Sequence, residues 1–173
     1  QEQFDVSEVM LRVLVSLENK INARHLDVDT QLPDGPVLVW GDPDAITQVC
    51  YNLLDNAIKF SAEGSTMGLS ITAKGGKAHV AVRNHGDTIP PDELAMIFDR
   101  FHKSDRSRSL DRDGVGLGLY LVKSILDAHG EDIAVTSRDG VTEFVFTLTL
   151  AKPAPKPTAK PESTGRRGGR KSS

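Results

Sequence analysis

The sequence contains little cysteine and no long apolar segment. Cys50 is the only cysteine among 173 residues, so no internal disulfide can form, which fits a reducing, cytoplasmic setting. Neither a signal sequence nor an apolar run of membrane length is present, and we therefore expect a soluble chain. The glycine-rich segment near residue 114 lacks the GxxxxGK[ST] spacing of a Walker loop and does not follow a strand in a βαβ unit. A P-loop or dinucleotide-binding fold is therefore disfavoured.

Positive charge is scarce outside the C-terminal segment. Residues 152–173 carry seven Lys or Arg and one Glu, a local net of +6, which leaves −9 for residues 1–151 of the overall −3. An acidic fold argues against nucleic acid as a partner. The segment 152–173 is rich in Pro, Lys, Gly and Ser and has almost nothing apolar, so we expect a disordered, solubilising tail after a domain of residues 1–151.

The stretch DPDAITQVCYNLLDNAIKFS, residues 42–61, predicts the central helix. Asp42 followed by Pro43 is typical of a helix start, and an apolar stripe follows at three- and four-residue spacing. Asn52, Asn56 and Lys59 lie four and then three residues apart, which places them on one flank of the helix. Amide oxygens suit Mg²⁺ and lysine suits phosphate oxygens, although in isolation this stretch is better explained as a solvated helix flank.

The remaining elements predict an α+β fold. Alternating apolar residues on either side of Gly75-Gly76 and of Asp139-Gly140 indicate two hairpins, and a capped helix near the start precedes a short strand. A short helix is expected from about Pro91. Helices mixed among antiparallel hairpins favour a two-layer sandwich, with a mixed, mostly antiparallel sheet and helices on one face.

Three glycines alternate in GVGLGL immediately before another predicted helix. Gly114, Gly116 and Gly118 allow backbone N–H groups to approach an anion at the positive end of that helix. Leu119 begins the apolar stripe of the helix, and Gly130 is its expected stop. A plain flexible turn is a fair explanation for any one of these glycines, but much less so for three at alternate positions.

Four motifs in one order carry a family resemblance: NLLDNAIKFS, NHGDTIP, IFDRFHK and GVGLGL. Together they resemble the ATP-binding catalytic domain of bacterial sensor histidine kinases, which has the Bergerat-type ATP-binding fold. The wider class includes type II topoisomerases, the ninety-kilodalton heat-shock chaperones and mismatch-repair proteins. The resemblance extends from about Phe4 to Leu150 and rests on the motifs in register, since none is specific alone.

The resemblance implies a site for ATP and Mg²⁺. Asn56 would coordinate Mg²⁺, with Asn52 and Lys59 beside the phosphates as the catalytic residues. On the adenine side, the implied residues are Asn84, Gly86 and Ile89. The implied lid residues are Phe98 and Phe101 at its base, Lys103 reaching the phosphates, and Gly114, Gly116 and Gly118 as its hinge, followed by Leu119. Residues 104–113 are expected to form a mobile loop.

The chain departs from the family pattern at three positions. Asn84 stands where the family has an aspartate under the adenine amino group, Thr88 replaces the second glycine of that loop, and His102 replaces an aromatic residue. Asparagine keeps the capacity to pair with adenine, because its oxygen accepts from N6–H and its amide donates to a ring nitrogen. We therefore expect nucleotide binding to be retained.

The residue at position 52 indicates phosphoryl transfer instead of hydrolysis. Water-splitting members of the wider class place a glutamate there, whereas a carboxamide cannot take up a proton at neutral pH. None of the five histidines lies in an H-[ED]-x-x-[TN]-P context. The resemblance thus implies transfer of the γ-phosphoryl to a histidine outside this chain, on an upstream helical hairpin of a membrane-anchored sensor.

Partners and rival functions follow from the same resemblance. A downstream response regulator is the implied final acceptor, and the isolated chain is expected to be monomeric. Asn84 leaves open a non-catalytic, nucleotide-sensing or interaction module, and a stand-alone serine kinase of the anti-sigma type is the other alternative.

Overall fold

The computed structural model describes residues 1–99 and 118–153. In these ranges the chain forms seven strands and five helices. The strands are β1 Glu2–Asp5, β2 Asp27–Gln31, β3 Leu38–Gly41, β4 Thr66–Lys74, β5 Lys77–His85, β6 Ile133–Arg138 and β7 Val141–Thr149. The helices are α1 Val6–Ser16, α2 Glu18–Ala23, α3 Pro43–Phe60, α4 Pro91–Leu94 and α5 Gly118–Ala128. None of them is both long enough and apolar enough to span a bilayer.

The main sheet has five strands in the order β2-β4-β5-β7-β6. The β2–β4 pair is parallel and the other three pairs are antiparallel, which confirms the prediction of a mixed, mostly antiparallel sheet. Both predicted hairpins are present. Their turns place Gly75, Gly76, Asp139 and Gly140 at positive φ, where glycine in particular is tolerated. The β4–β5 and β6–β7 connections are therefore tight, and the two hairpins pair with each other through β5 and β7, with β5 as the middle strand.

The core lies between one face of this sheet and the helices. Alternate side chains of β5 and β7 point inward, and Val80, Phe146 and Leu148 are fully buried. From the helical layer, α3 contributes Leu53 and α5 contributes Leu126, both also fully buried. Burying a large aliphatic or aromatic side chain contributes roughly 1.5–3 kcal/mol. The predicted two-layer sandwich with helices on one face is confirmed.

Aspartate caps fix the start of two helices. Asp42 accepts hydrogen bonds from the N–H groups of Asp44 and Ala45, as predicted for the start of α3. Asp5 caps α1 by accepting from Ser7 N at 3.0 Å, and its Oδ1 also accepts from Val37 N at 2.9 Å. This second bond joins the start of α1 to the segment leading into β3, which pairs with β1 in a separate two-stranded sheet.

His129 joins the end of α5 to the start of α3. Its Nδ1 lies 2.8 Å from the Ile125 carbonyl oxygen, and its Nε2 accepts from Asp42 N at 3.1 Å. A carbonyl oxygen requires a donor, so Nδ1 carries the proton and Nε2 is the acceptor. The neutral ring thus holds the two helices in register, and both of them contribute to the site described next.

Candidate functional site

The polar flank of α3 faces the first residue of α5. Asn52 Nδ2 donates to the Gly118 carbonyl oxygen at 3.2 Å, and Asn52 Oδ1 accepts from Gln48 Nε2 at 2.9 Å. Two predicted site residues, Asn52 and Gly118, are therefore in direct contact although they are 66 positions apart. Both ends of the Asn52 carboxamide are engaged, which fixes its orientation on the flank.

Asn56 lies one turn further along the same flank. Its side chain is half-buried, and within residues 1–99 and 118–153 it has no hydrogen-bond partner. A half-buried amide oxygen next to a second carboxamide suits a hard cation such as Mg²⁺, which keeps several waters and takes few protein ligands. The donor chemistry at this position therefore fits the metal that the family resemblance implies.

Lys59 is held by an ion pair on the helix. Its Nζ lies 3.3 Å from Asp55 Oδ2, and Asp55 Oδ1 accepts from Lys20 Nζ of α2 at 3.0 Å. The hydrogen bond to Asp55 raises the pKa of Lys20 above its usual value. Asp55 thus lies between two ammonium groups, and the Lys59 side chain, which is 33% exposed, contacts this acidic partner beside Asn56.

Asn84 lies at the C-terminal end of α3, where β5 ends. The residue is only 4% exposed, and its Nδ2 donates to the Phe60 carbonyl oxygen at 3.3 Å. Since a carbonyl can only accept, the nitrogen end of the amide must face α3. Oδ1 has no partner in the described part of the chain and is not a fully enclosed atom. An acceptor therefore remains accessible to a ligand.

Gly86 follows β5 directly and contacts the end of α3. A Cβ built on Gly86 would lie 2.2 Å from the Phe60 carbonyl oxygen, which is far inside van der Waals contact with the backbone. The same junction is closed by a hydrogen bond from Ala62 N to the His85 carbonyl oxygen at 2.8 Å. Only glycine fits at this position, because the loop after β5 must pass directly against the last turn of α3.

The apolar candidates lie around these polar groups. Ile89 is 6% exposed and belongs to the core cluster. Phe98 packs edge-on against Phe144, with ring centroids 6.1 Å apart. Leu119 is partly buried on the same core, at the start of α5.

The structure thus places two groups of predicted residues next to each other along the C-terminal half of α3. Asn52, Asn56 and Gly118 form the first group, and Asn84 and Gly86 form the second near the C-terminus of α3. The separation along α3 suits a ligand with a polyanionic end and a planar, hydrogen-bonding end. The predictions for Phe101, His102, Lys103, Gly114, Gly116 and the loop 104–113 lie outside the described residues.

Sequence reasoning missed the residues that orient the candidates. The Phe60 carbonyl and the Gln48 amide are partners of Asn84 and Asn52, respectively. The spacing of Gln48 four residues before Asn52 on a helix was an available signal, because such pairs are neighbours on the surface. The backbone carbonyl of Phe60 leaves no trace in a sequence pattern, since every residue has one.

Comparison with known proteins identifies the family and the fold. Residues 41–152 match the family described as histidine kinase-, DNA gyrase B- and HSP90-like ATPases. The chain belongs to this family. It is 36% identical to the sensor histidine kinase WalK of Bacillus subtilis over 128 residues, which are 72% of this chain and 21% of WalK. The resemblance to sensor histidine kinases and the predicted fold are confirmed.

Solved structures give the same assignment. The catalytic domain of the histidine kinase ThkA superposes with a TM-score of 0.77 at 28% identity, covering 86% of this chain and 94% of that domain. Full-length ShkA, solved in complex with AMPPNP, has a TM-score of 0.73 at 25% identity, covering 88% of this chain and 32% of ShkA. ThkA has also been solved in complex with the response regulator TrrA, and there the alignment covers 86% of this chain and 41% of ThkA. The chain thus spans a minor part of these longer kinases and of WalK.

Proposed function

We propose that this domain binds Mg·ATP along the flank of α3 and presents the γ-phosphoryl to a histidine outside the chain. The observation that carries the proposal is the orientation of Asn84. Its nitrogen is held by Phe60 O, so that its accessible Oδ1 offers an acceptor to the amino group of adenine. The match to a family of ATPases and the AMPPNP complex of ShkA support a nucleotide as the ligand.

One to two turns before Phe60 on α3, Asn56 would hold Mg²⁺ and Asn52 would lie beside the triphosphate. Bound Mg²⁺ supplies neutralisation of the charge on the phosphate oxygens. Asn52 orients the start of α5 through the Gly118 carbonyl. It carries no group that can take a proton from water, so the flank favours a protein nucleophile over hydrolysis. Catalysis then consists of positioning and charge stabilisation.

The partners of the whole protein follow from the relatives. WalK is named a sensor histidine kinase, and ThkA has been crystallised with a response regulator. By analogy, we propose that the histidine acceptor lies on a helical hairpin of the same protein, and that a response regulator receives the phosphoryl group from it. The domain boundary near residue 151 and the role of the basic segment after it stay predictions.

Titration calorimetry tests the metal site directly. Asn56→Ala should weaken binding of Mg·ATP, whereas binding of ATP in the presence of EDTA should change little, because only the metal contact is removed. Asn22→Ala removes an exposed carboxamide on α2 and serves as the matched control. If Asn56→Ala binds Mg·ATP as tightly as wild type and Asn22→Ala do, Asn56 does not hold the metal.

A further inference from the structure

The loop after β5, residues 86–89, is joined to the β6–β7 turn by three hydrogen bonds. Gly86 N donates to the Gly140 carbonyl oxygen at 2.8 Å. Gly140 N donates to Thr88 Oγ1 at 2.7 Å, and Ile89 N donates to Ser137 Oγ at 2.8 Å. Two of the three bonds therefore depend on a side-chain hydroxyl, which a substitution can remove without altering the backbone.

The β6–β7 turn provides a rigid support for this loop. Asp139 and Gly140 have φ values of 54° and 79°, and Arg138 pairs with Val141 on either side of them. Ser137 Oγ also lies 2.7 Å from Thr142 Oγ1, so the acceptor of the Ile89 bond is itself held across the hairpin. The support is thus fixed by strand pairing before any ligand binds.

We propose that Thr88 is a positioning residue for the nucleotide, which holds the loop 86–89 in its binding conformation through the Gly140 N–H. This inference rests on the proposed function, which places the adenine beside this loop. Family members with glycine at this position have no side chain to make such a bond, and glycine has the greatest backbone freedom to lose on binding. The hydroxyl of Thr88 restricts the loop in advance, which lowers the cost of ordering it when the ligand binds.

The position of Thr88 shows that its side chain can hold the loop without contributing to the hydrophobic core. The side chain is exposed and lies outside the hydrophobic cluster, whereas its neighbour Ile89 is buried. Loss of the Thr88 hydroxyl therefore removes a link between two loops and leaves the packed interior unchanged. We expect its effect on ligand affinity to exceed its effect on melting temperature.

Substitutions in the 173-residue chain test the proposal. Thr88→Val removes the acceptor with little change in shape, and Thr88→Ser restores it. Thr136→Val, at an exposed threonine of β6, is the matched control. Competition against a fluorescent nucleotide should show about three- to tenfold weaker binding for Thr88→Val, the range that one hydrogen bond provides. Thr88→Ser and Thr136→Val should stay within about twofold of wild type, on the same reasoning.

Two further readouts distinguish positioning from a general structural effect. Because Thr88 acts on the adenine side, ATP and ADP should weaken by the same factor. Amide hydrogen exchange at Gly140 should accelerate in Thr88→Val while the melting temperature stays at the control value. Ser137→Ala should also weaken the binding of ATP and ADP. The double variant Thr88→Val/Ser137→Ala should lose less binding free energy than the sum of the two single losses, since both hydrogen bonds hold the same loop.

Three results for the Thr88 variants would overturn the proposal. Equal affinities of Thr88→Val, Thr136→Val and wild type for ATP would overturn the proposal. So would a loss that Thr88→Ser fails to restore, or a loss confined to ATP with ADP unaffected. Failure of the wild-type chain to bind ATP would refute the proposed function itself, which the variant comparison distinguishes from a failure of Thr88 alone.

Discussion

Asn84 gives the sharpest prediction about base recognition. Its Nδ2 lies 3.3 Å from the Phe60 carbonyl oxygen, so a flip of the amide would place Oδ1 against a second acceptor. The flip removes this hydrogen bond and brings two carbonyl oxygens together, a cost of about 1–3 kcal/mol. The oxygen end is therefore held away from Phe60 O, toward the side on which we propose that adenine binds. Adenine offers a donor to it, whereas guanine presents an acceptor at the same place.

We expect the chain to bind ATP about ten- to a hundredfold more tightly than GTP, since each 1.4 kcal/mol or so is a factor of ten. Asn84→Ala should weaken ATP binding by about the same factor and abolish the preference for ATP over GTP. Competition of the two nucleotides against one fluorescent analogue measures both quantities, with Asn22→Ala as the control. Equal affinities for ATP and GTP in the wild-type chain, or unchanged ATP affinity in Asn84→Ala, would refute the reasoning.

Asn84→Asp tests the acceptor and donor roles of the Asn84 amide separately. A carboxylate still accepts from adenine but cannot donate to Phe60 O, and it lies at the negative end of the α3 dipole. The folded state therefore disfavours its charged form. We expect a loss of about 1–3 kcal/mol in stability at neutral pH, which decreases as the pH is lowered and the carboxyl becomes a donor. A variant as stable as wild type at pH 7 would contradict this use of the Phe60 carbonyl.

Three further predictions follow from other positions. Gly86→Ala should lower the melting temperature and weaken ATP binding, because its Cβ would lie 2.2 Å from Phe60 O. Overpacking of this kind costs about 1–3 kcal/mol. A variant as stable as wild type would contradict the close contact. Glu131 is 7% exposed; burial raises its pKa, but hydrogen bonds from Lys77 and two threonines outweigh burial and lower the pKa below the usual 4.5. Glu131 therefore contributes its full stabilisation of the folded state at pH values above 4.5. This stabilisation is lost as the pH falls through the lowered pKa of the folded state. Urea unfolding should show Glu131→Gln as less stable at pH 7, with a smaller difference at pH 3. Burial raises the pKa of the Cys50 thiol to about 12, so alkylation at pH 8 should be slow in the native state and fast in urea; rapid labelling of native protein would contradict the buried position.

Features encoded in local pattern were predictable from the sequence. Asp42 and Pro43 marked the start of α3, and the glycine pairs marked both hairpin turns, because caps and turns depend on neighbouring residues alone. The flank of Asn52 and Asn56 followed from helical periodicity. The family resemblance then supplied the roles of these residues, which their spacing alone leaves open.

Features that depend on distant backbone atoms were not predictable in the same way. The strand β1 pairs with β3 across more than thirty residues, and the start of the chain gave no strand pattern for it. The helix predicted near the start of the chain is divided at Leu17 into α1 and α2. Asn84 and Thr88 are two of the three departures from the family pattern. Their partners are backbone groups of Phe60 and Gly140 that tertiary packing brings together.

Phosphoryl transfer from ATP tests the central claim most directly. The chain is incubated with Mg²⁺ and γ-labelled ATP, alone and with the histidine-bearing helical hairpin that we propose for the same protein added in trans. We predict an acid-labile, base-stable phosphohistidine on the hairpin, no label on this chain and only a trace of phosphate release. Rapid phosphate release by the chain alone, a label on one of its own residues or an acid-stable phosphoserine on the acceptor would contradict the account.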